Sequence, residues 1–350
     1  MTTSDSPAAL GYRMPAEWAV HRATWLSWPH NRDTWPGCFE RVEPAMVEVV
    51  EALAESETVH INVLGPEHEG HVRAQLERKV SPERVRYFHV PTNDAWIRDH
   101  GAIFVLRDAP EDPMLALDFD YNAWGGKYPP YDLDREVARR MADALGVRRV
   151  APGAVLEGGS IEVNGEGTLI TTEQCLLNAN RNPELGRGDI ESLLRDAFGV
   201  QRIIWLGDGI VGDDTDGHVD DLTRFVGADT VVTAVESDPA DPNYAVLRAN
   251  RTRLAAIEQA GELPFHVVEF PMPEPQFNGG ERLPASYANF YIANGCVLMP
   301  AFGCPADERA RDLLAGCFPG RRVVPIDCRA LVAGLGALHC LTQQVPEPPR

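Results

Sequence analysis

Short apolar runs, bounded by polar or glycine-rich turns, recur along the chain in pairs. Ala102–Leu106 precedes Leu115–Phe119, Ser160–Val163 precedes Thr168–Thr172, Leu222–Val226 precedes Thr230–Val235, and Asn289–Ala293 precedes Cys296–Pro300. Their length and their bounding turns predict strands. Helix-like stretches follow at Arg135–Ala144, Asp189–Ala197, Ala245–Ala260 and Ala306–Ala315, with one more at Glu43–Ala54. In that last stretch Val42, Met46, Val49, Val50 and Leu53 fall on one stripe of helical period. Further strands are expected at Val59–Leu64, Val85–Val90, Arg202–Leu206, Phe265–Phe270 and Arg322–Ile326. A final pair is split across the chain, Ala337–Gln343 beside Thr24–Trp28. A ββαβ unit repeated around an axis accounts for this rhythm, and an open doubly wound α/β sheet is the alternative. Pro271–Gly280 reads as a loop. No interdomain linker interrupts 1–350, so the pattern predicts a single catalytic domain with flexible ends at 1–12 and 346–350.

Composition narrows the function classes. Hydrophobic residues make up 44% of the chain, enough for a substantial core. A formal net charge of -20 repels phosphate backbones and anionic lipid, which argues against nucleic acid and membrane partners and favours a small cation. A homo-oligomer stays open. The first residues, MTTSDSPAALGYRMP, carry neither the basic start nor the apolar stretch of a secretory signal, and no run approaches membrane-spanning length. The 7 cysteines form no CxxC pair and have irregular spacing, which predicts reduced thiols in the cytoplasm rather than a disulfide framework or zinc site.

Reactive groups gather in three segments, Asn93–Gly101, Asp213–Asp221 and Leu338–Gln344. A cysteine nucleophile needs a histidine or other cation to raise its thiolate fraction, and Cys340 and His218 form such a pair. His218 and Asp220, two apart at the expected start of a strand, would share a face. An electron-poor guanidinium carbon under thiolate attack needs carboxylates on its N–H groups, and Asp99 and Asp220 can supply them. Taken singly, Cys340 could be an inert core thiol and His218 a structural histidine. The acids of Asp213–Asp221 lack EF-hand spacing, and His68 and His71 lack a third ligand. Glu157-Gly158-Gly159-Ser160 lacks phosphate-loop spacing. No metal or other cofactor is expected.

Read together, the segments resemble the agmatine deiminase family, related to bacterial peptidylarginine deiminases within the guanidine-modifying superfamily. The likeness runs through MPAEW (Met14–Trp18), WLSWPHN (Trp25–Asn31), NDAWIRDHG (Asn93–Gly101) and FDYNAWGGKYPPYD (Phe119–Asp132). It continues through Leu156–Pro183, GDDTDGHVDDLTRFV (Gly212–Val226), PASYANFY (Pro284–Tyr291) and LHCLTQQVP (Leu338–Pro346). The resemblance implies a five-bladed, pseudo-symmetric α/β propeller of ββαβ units. It implies cofactor-free hydrolysis of a small guanidinium substrate, agmatine first, to N-carbamoylputrescine and ammonia through an S-alkylthiouronium on cysteine. Cys340 matches the nucleophile, His218 the general acid/base, and Asp99 and Asp220 the guanidinium-holding carboxylates. Trp96 and Trp124 fall in pocket motifs where they could stack on the cation. Glu157, Asp94 and Asp214 are candidate partners for the distal amine. One departure stands out. Where the family reads close to GGGNIHC, this chain has Gly334-Leu335-Gly336-Ala337-Leu338-His339-Cys340. Deimination of free, methylated or peptidyl arginine, amidino transfer, and a non-catalytic polyamine- or guanidine-binding protein are the alternatives.

Overall fold

The computed structural model describes residues 5–261 and 265–349. Four sheets follow one order. Ile103–Leu106 pairs antiparallel with Met114–Leu117, the helix Val137–Leu145 crosses over, and Arg148–Val150 pairs parallel with Met114–Leu117. The same sequence of events runs through Glu162–Val163, Thr168–Thr172, the helix Arg187–Phe198 and Arg202–Leu206. It runs again through Thr223–Gly227, Thr230–Val235, Asn243–Ala260 and His266–Pro271, then through Tyr291–Ile292, Cys296–Ala301, Ala306–Cys317 and Arg322–Asp327. The parallel pairs require such crossovers, because no tight turn can bring a parallel neighbour into register.

The remaining large sheet joins distant parts of the chain. Gln343–Pro346 lies antiparallel to His21–Ser27, and the helix Phe39–Ala54 then leads to Thr58–Val63, parallel to His21–Ser27. This repeats the common order with its first strand drawn from the far end of the sequence. A further helix, Pro66–Leu76, adds Val85–His89 as a fourth strand. That helix is not among those the sequence pattern predicts. It buries only Val72 and Leu76, too few to show as a periodic stripe. The sheets are separate, so the open doubly wound alternative is not the arrangement found. Within the loop expected at Pro271–Gly280, Phe277–Asn278 begins a small hairpin with Glu281–Arg282.

Central strands are apolar and buried. Val297, Leu298 and Met299 are fully enclosed, as are Val42, Met46, Val50 and Leu53 on the helix that packs beside them. Residues near both described ends contact the rest of the chain. Ala8 donates its N–H to Asp196 O at 2.9 Å, Tyr12 is fully buried, and Pro346 pairs with His21. Residues 1–4 and 350 lie outside the described residues. Among the described residues no helix is long and apolar enough to cross a membrane.

Candidate active site

Three loops at strand ends bring their polar side chains to one place. In the first, Asn93 Oδ1 accepts N–H groups from Leu133 and Asp134, and Asp94 Oδ1 accepts from Ala95, which sets the start of the short helix Ile97–His100. That helix buries Asp99. The carboxylate accepts the Gly159 N–H at Oδ1 and the Trp124 indole N–H at Oδ2, each at 3.0 Å. Trp124 reaches it from an unusual backbone. Ala123 and Trp124 both have left-handed φ, 52° and 55°, and Gly125 and Gly126 continue at 92° and 79°. Each non-glycine residue there costs about 1 kcal/mol or more, a local strain held by the surrounding packing.

The second loop carries His218 and Asp220. They do not begin a strand, as their spacing had suggested. Val219–Asp221 is a single 3₁₀ turn, and the strand starts at Thr223. Asp213 forces this turn by accepting the backbone N–H of both Thr215 and His218. Asp216 is occupied by Arg181 at 2.6 Å, Lys127 and Asn180, so the loop's acids bind chain groups instead of displaying an open cation cage.

The third segment holds Cys340. Ala337–Leu341, expected as strand, is a turn, and the strand begins only at Gln343. Leu335 precedes it with φ 73°, a left-handed conformation that a glycine adopts without cost. Gly336 has no room for a side chain, since a Cβ there would stand 2.5 Å from the Trp96 ring. Cys340 Sγ lies 3.1 Å from Asn289 Nδ2 and 3.8 Å from Asp220 Oδ2. His218 Nδ1 is 3.8 Å from Asp99 Oδ1, and its Nε2 is 3.9 Å from Glu157 Oε2. Gly159 is the hub between these groups, because a Cβ there would touch His218, Asp99 and Asp220 together.

Behind the carboxylates runs a buried charge network that the sequence reading did not identify. His339 bridges Asp220 and Glu17, its Nδ1 2.7 Å from the first and its Nε2 2.8 Å from the second. Glu17 also meets Arg224 at 2.9 Å and Arg98 at 3.4 Å, and Arg224 meets Glu162 at 2.8 Å. Burial alone would raise the Asp220 carboxyl. The His339 contact, with the charges of His218 and Arg224, more than offsets it and holds Asp220 below the usual range. Asp99 is raised, by burial first, against the pull of His218. Burial also opposes the charged form of His218. The Asp99 carboxylate, with the neighbouring Cys175 and Glu157, outweighs that and keeps the imidazolium well above its ordinary range. Cys340 is pushed well up by burial and then by Asp220, Asp221 and Asp99. The ligand-free site therefore favours a protonated thiol at Cys340 and an imidazolium at His218.

Asp99 and Cys340 open onto a cavity of about 850 Å³, whose wall also includes Trp96, Trp124, Asp94, Asp134, Asp214 and Leu335. Glu157, by contrast, is fully buried, is absent from this wall, and receives Arg181 Nε at 2.6 Å. It sits against His218 and not toward a distal substrate end. Asp94 is pushed up to about 6 by burial, and Asp134 to about 7.

This arrangement has known counterparts. An agmatine deiminase of Pseudomonas syringae pv. tomato is 40% identical over 99% of both chains. The solved agmatine deiminase of Enterococcus faecalis superposes with a TM-score of 0.90 at 31% identity, covering 98% of each chain. A cysteine-to-serine variant of the C. jejuni agmatine deiminase with substrate bound superposes at 0.87, with 31% identity and 97% coverage of each. The sequence description of Porphyromonas-type peptidyl-arginine deiminases fits residues 13–346, and the chain belongs to that family.

Proposed function

We infer that the chain hydrolyses agmatine to N-carbamoylputrescine and ammonia, with Cys340 as nucleophile. The observation that carries this reading is a thiol in the wall of an acidic cavity, with Asp99, Asp220 and an imidazolium around it. The identity of the relatives supports the same reaction. Among the described residues the cavity wall contains no lysine or arginine. Agmatine is a dication and suits such a wall. Arginine would bring its carboxylate against Asp94, Asp134 and Asp214 with no cation to receive it.

Charge explains the order of steps. Asp99 and Asp220 grip the guanidinium N–H groups, and the substrate's positive charge offsets the carboxylates that hold Cys340 protonated. The thiol then loses its proton to solvent. The thiolate attacks the guanidinium carbon and forms a tetrahedral adduct. His218 gives its proton to one nitrogen, the C–N bond breaks, and ammonia leaves an S-alkylthiouronium. Neutral His218 next takes a proton from water as the hydroxyl adds to the same carbon. On collapse the C–S bond breaks, the hydroxyl proton passes to the departing sulfur, and the ureido product leaves behind the protonated thiol and the imidazolium. Asn289 Nδ2 steadies the sulfur. Trp124 positions Asp99, and Trp96 offers a face to the cation. Asp94 and Asp214 suit the distal amine, while Glu157 supports His218.

The five sheets of like order are the blades of a propeller about one axis. Their shared topology supports this, as does the bond from Gln343 Nε2 to Ala102 O at 2.9 Å between the last strand and the first blade.

The test compares kcat/KM for agmatine, arginine and a blocked arginyl peptide at fixed pH and salt. Agmatine leads by at least about tenfold, or about 1.4 kcal/mol of transition-state preference. A lead for arginine or the peptide removes the substrate assignment and leaves the Cys340 chemistry standing.

A further inference from the structure

The chemistry above uses one cysteine. A second, Cys175, is fully buried on the short helix Glu173–Leu176, where its N–H caps onto Thr172 Oγ1 at 3.3 Å. A ligand atom from each of Cys175, Glu157 and His218 lies within 4.8 Å of the other two. Glu157 Oε2 and both ring nitrogens of His218 are buried and make no hydrogen bond, and the residues themselves are 0% and 1% exposed. A buried polar atom without a partner is uncommon and needs an explanation. Here carboxylate oxygen, imidazole nitrogen and sulfur converge on one space. That donor set suits zinc and its chemical relatives, and is a poor match for magnesium or calcium.

We propose that Glu157, Cys175 and His218 form an inhibitory site for a thiophilic divalent cation, which stops turnover by holding the imidazole that the reaction needs. The proposal rests on the role inferred for His218. Arg181 occupies Glu157 Oε1 at 2.6 Å and leaves Oε2 to the ion, as a supporting partner orients a metal-bound carboxylate. Binding exchanges the thiol proton of Cys175 and one proton of His218 for a dication, so the buried cluster keeps its total charge and avoids the cost of a new buried charge. Zinc–ligand bonds of about 2.0–2.3 Å put tetrahedral neighbours roughly 3.5 Å apart, so the three side chains need close in by only about 1 Å. A water completes the coordination.

The experiment adds Co²⁺ to the whole protein and records the near-ultraviolet thiolate-to-cobalt absorption in wild type, Cys175→Ala and Cys340→Ser. A parallel titration with Zn²⁺ follows ammonia release in wild type and Cys175→Ala, each scaled to its own metal-free rate. The band persists in Cys340→Ser and is lost in Cys175→Ala. Half-inhibition of Cys175→Ala takes at least tenfold more zinc than wild type. Should alanine fail to fold, Cys175→Ser keeps the volume and removes the sulfur, with the same expected loss. A band lost in Cys340→Ser and kept in Cys175→Ala puts the ion on the nucleophile and overturns the proposal. No band in any protein, or equal zinc sensitivity in wild type and Cys175→Ala, does the same. The cobalt signal needs no turnover, so it holds or fails separately from the agmatine reading.

Discussion

Gly159→Ala replaces one hydrogen by a methyl group at the point where the reacting groups meet. The new Cβ would stand 2.5 Å from His218 Nδ1, 2.9 Å from Asp99 Oδ1 and 3.0 Å from Asp220 Oδ2. The first contact is short of ordinary van der Waals distance by about 1 Å, so the imidazole or the backbone must move by that much. None of the three neighbours is a loose chain end. Asp99 is tied to Trp124 and the Gly159 N–H, and Asp220 to His339. A misplacement of about 1 Å at a reacting centre costs roughly 10²-fold in rate, about 2.7 kcal/mol. The assay is steady-state ammonia release from agmatine, with circular dichroism confirming the fold. Gly188→Ala serves as control, because a Cβ there meets nothing within 4 Å. It should match wild type within about twofold and gain slightly in stability from the better helix former. A folded Gly159→Ala enzyme with more than a third of wild-type kcat/KM would refute the claim that this glycine sets the spacing of the catalytic groups.

Other outcomes follow from the same geometry. Cys340→Ser should retain less than about a tenth of wild-type turnover, and a haloacetamidine should label Cys340 in intact-protein mass spectrometry. Label found only on another of the cysteines would reassign the nucleophile. Asp220→Asn removes a carboxylate 3.8 Å from Cys340 Sγ that raises its pKa, so the ligand-free thiol ionises more readily. Iodoacetamide should therefore inactivate it faster than wild type at pH 8, while turnover falls by about 10²-fold or more; slower alkylation contradicts the electrostatic account. Asp94, titrating near 6, is charged above that pH and neutral below it. If it receives the distal amine, KM for agmatine should climb as pH falls from 8 to 5, and Asp94→Asn should flatten that climb; an unchanged profile would move the amine to Asp214. Activity should survive exhaustive chelation, and a loss restored by one added metal would be evidence against the metal-free mechanism.

The paired strands were legible because each pair is short, apolar and bounded by turns. Pro66–Leu76 was not, since its sparse apolar positions leave no stripe to read. Side-chain spacing misled at His218 and Asp220, where hydrogen bonds from the loop to Asp213 impose a 3₁₀ turn in place of extended chain. Asp99, Asp220, His218 and Cys340 could be singled out as reactive types in unusual segments. Glu17, Asn289 and Cys175 could not. Each is one polar residue in an apolar setting, and its importance comes from a partner far along the chain, as with Asn289 and Cys340, 51 positions apart. Motif segments around all three were visible, but a motif does not say which of its members turns inward.

The contact beneath Cys340 has a consequence for folding. Glu17 and His339, 322 positions apart, meet in the network there, and Gln343–Pro346 docks on His21–Ser27 just beyond it. Closing a loop of that length costs about 5 kcal/mol in chain entropy, repaid only when both partners are folded. The four internal sheets pair strands that lie much nearer one another in the chain. Refolding enzyme should therefore regain most of its circular dichroism signal before its activity. Turnover thus reports the long-range closure, and a chain that has formed only its local sheets has no reactive thiol in place.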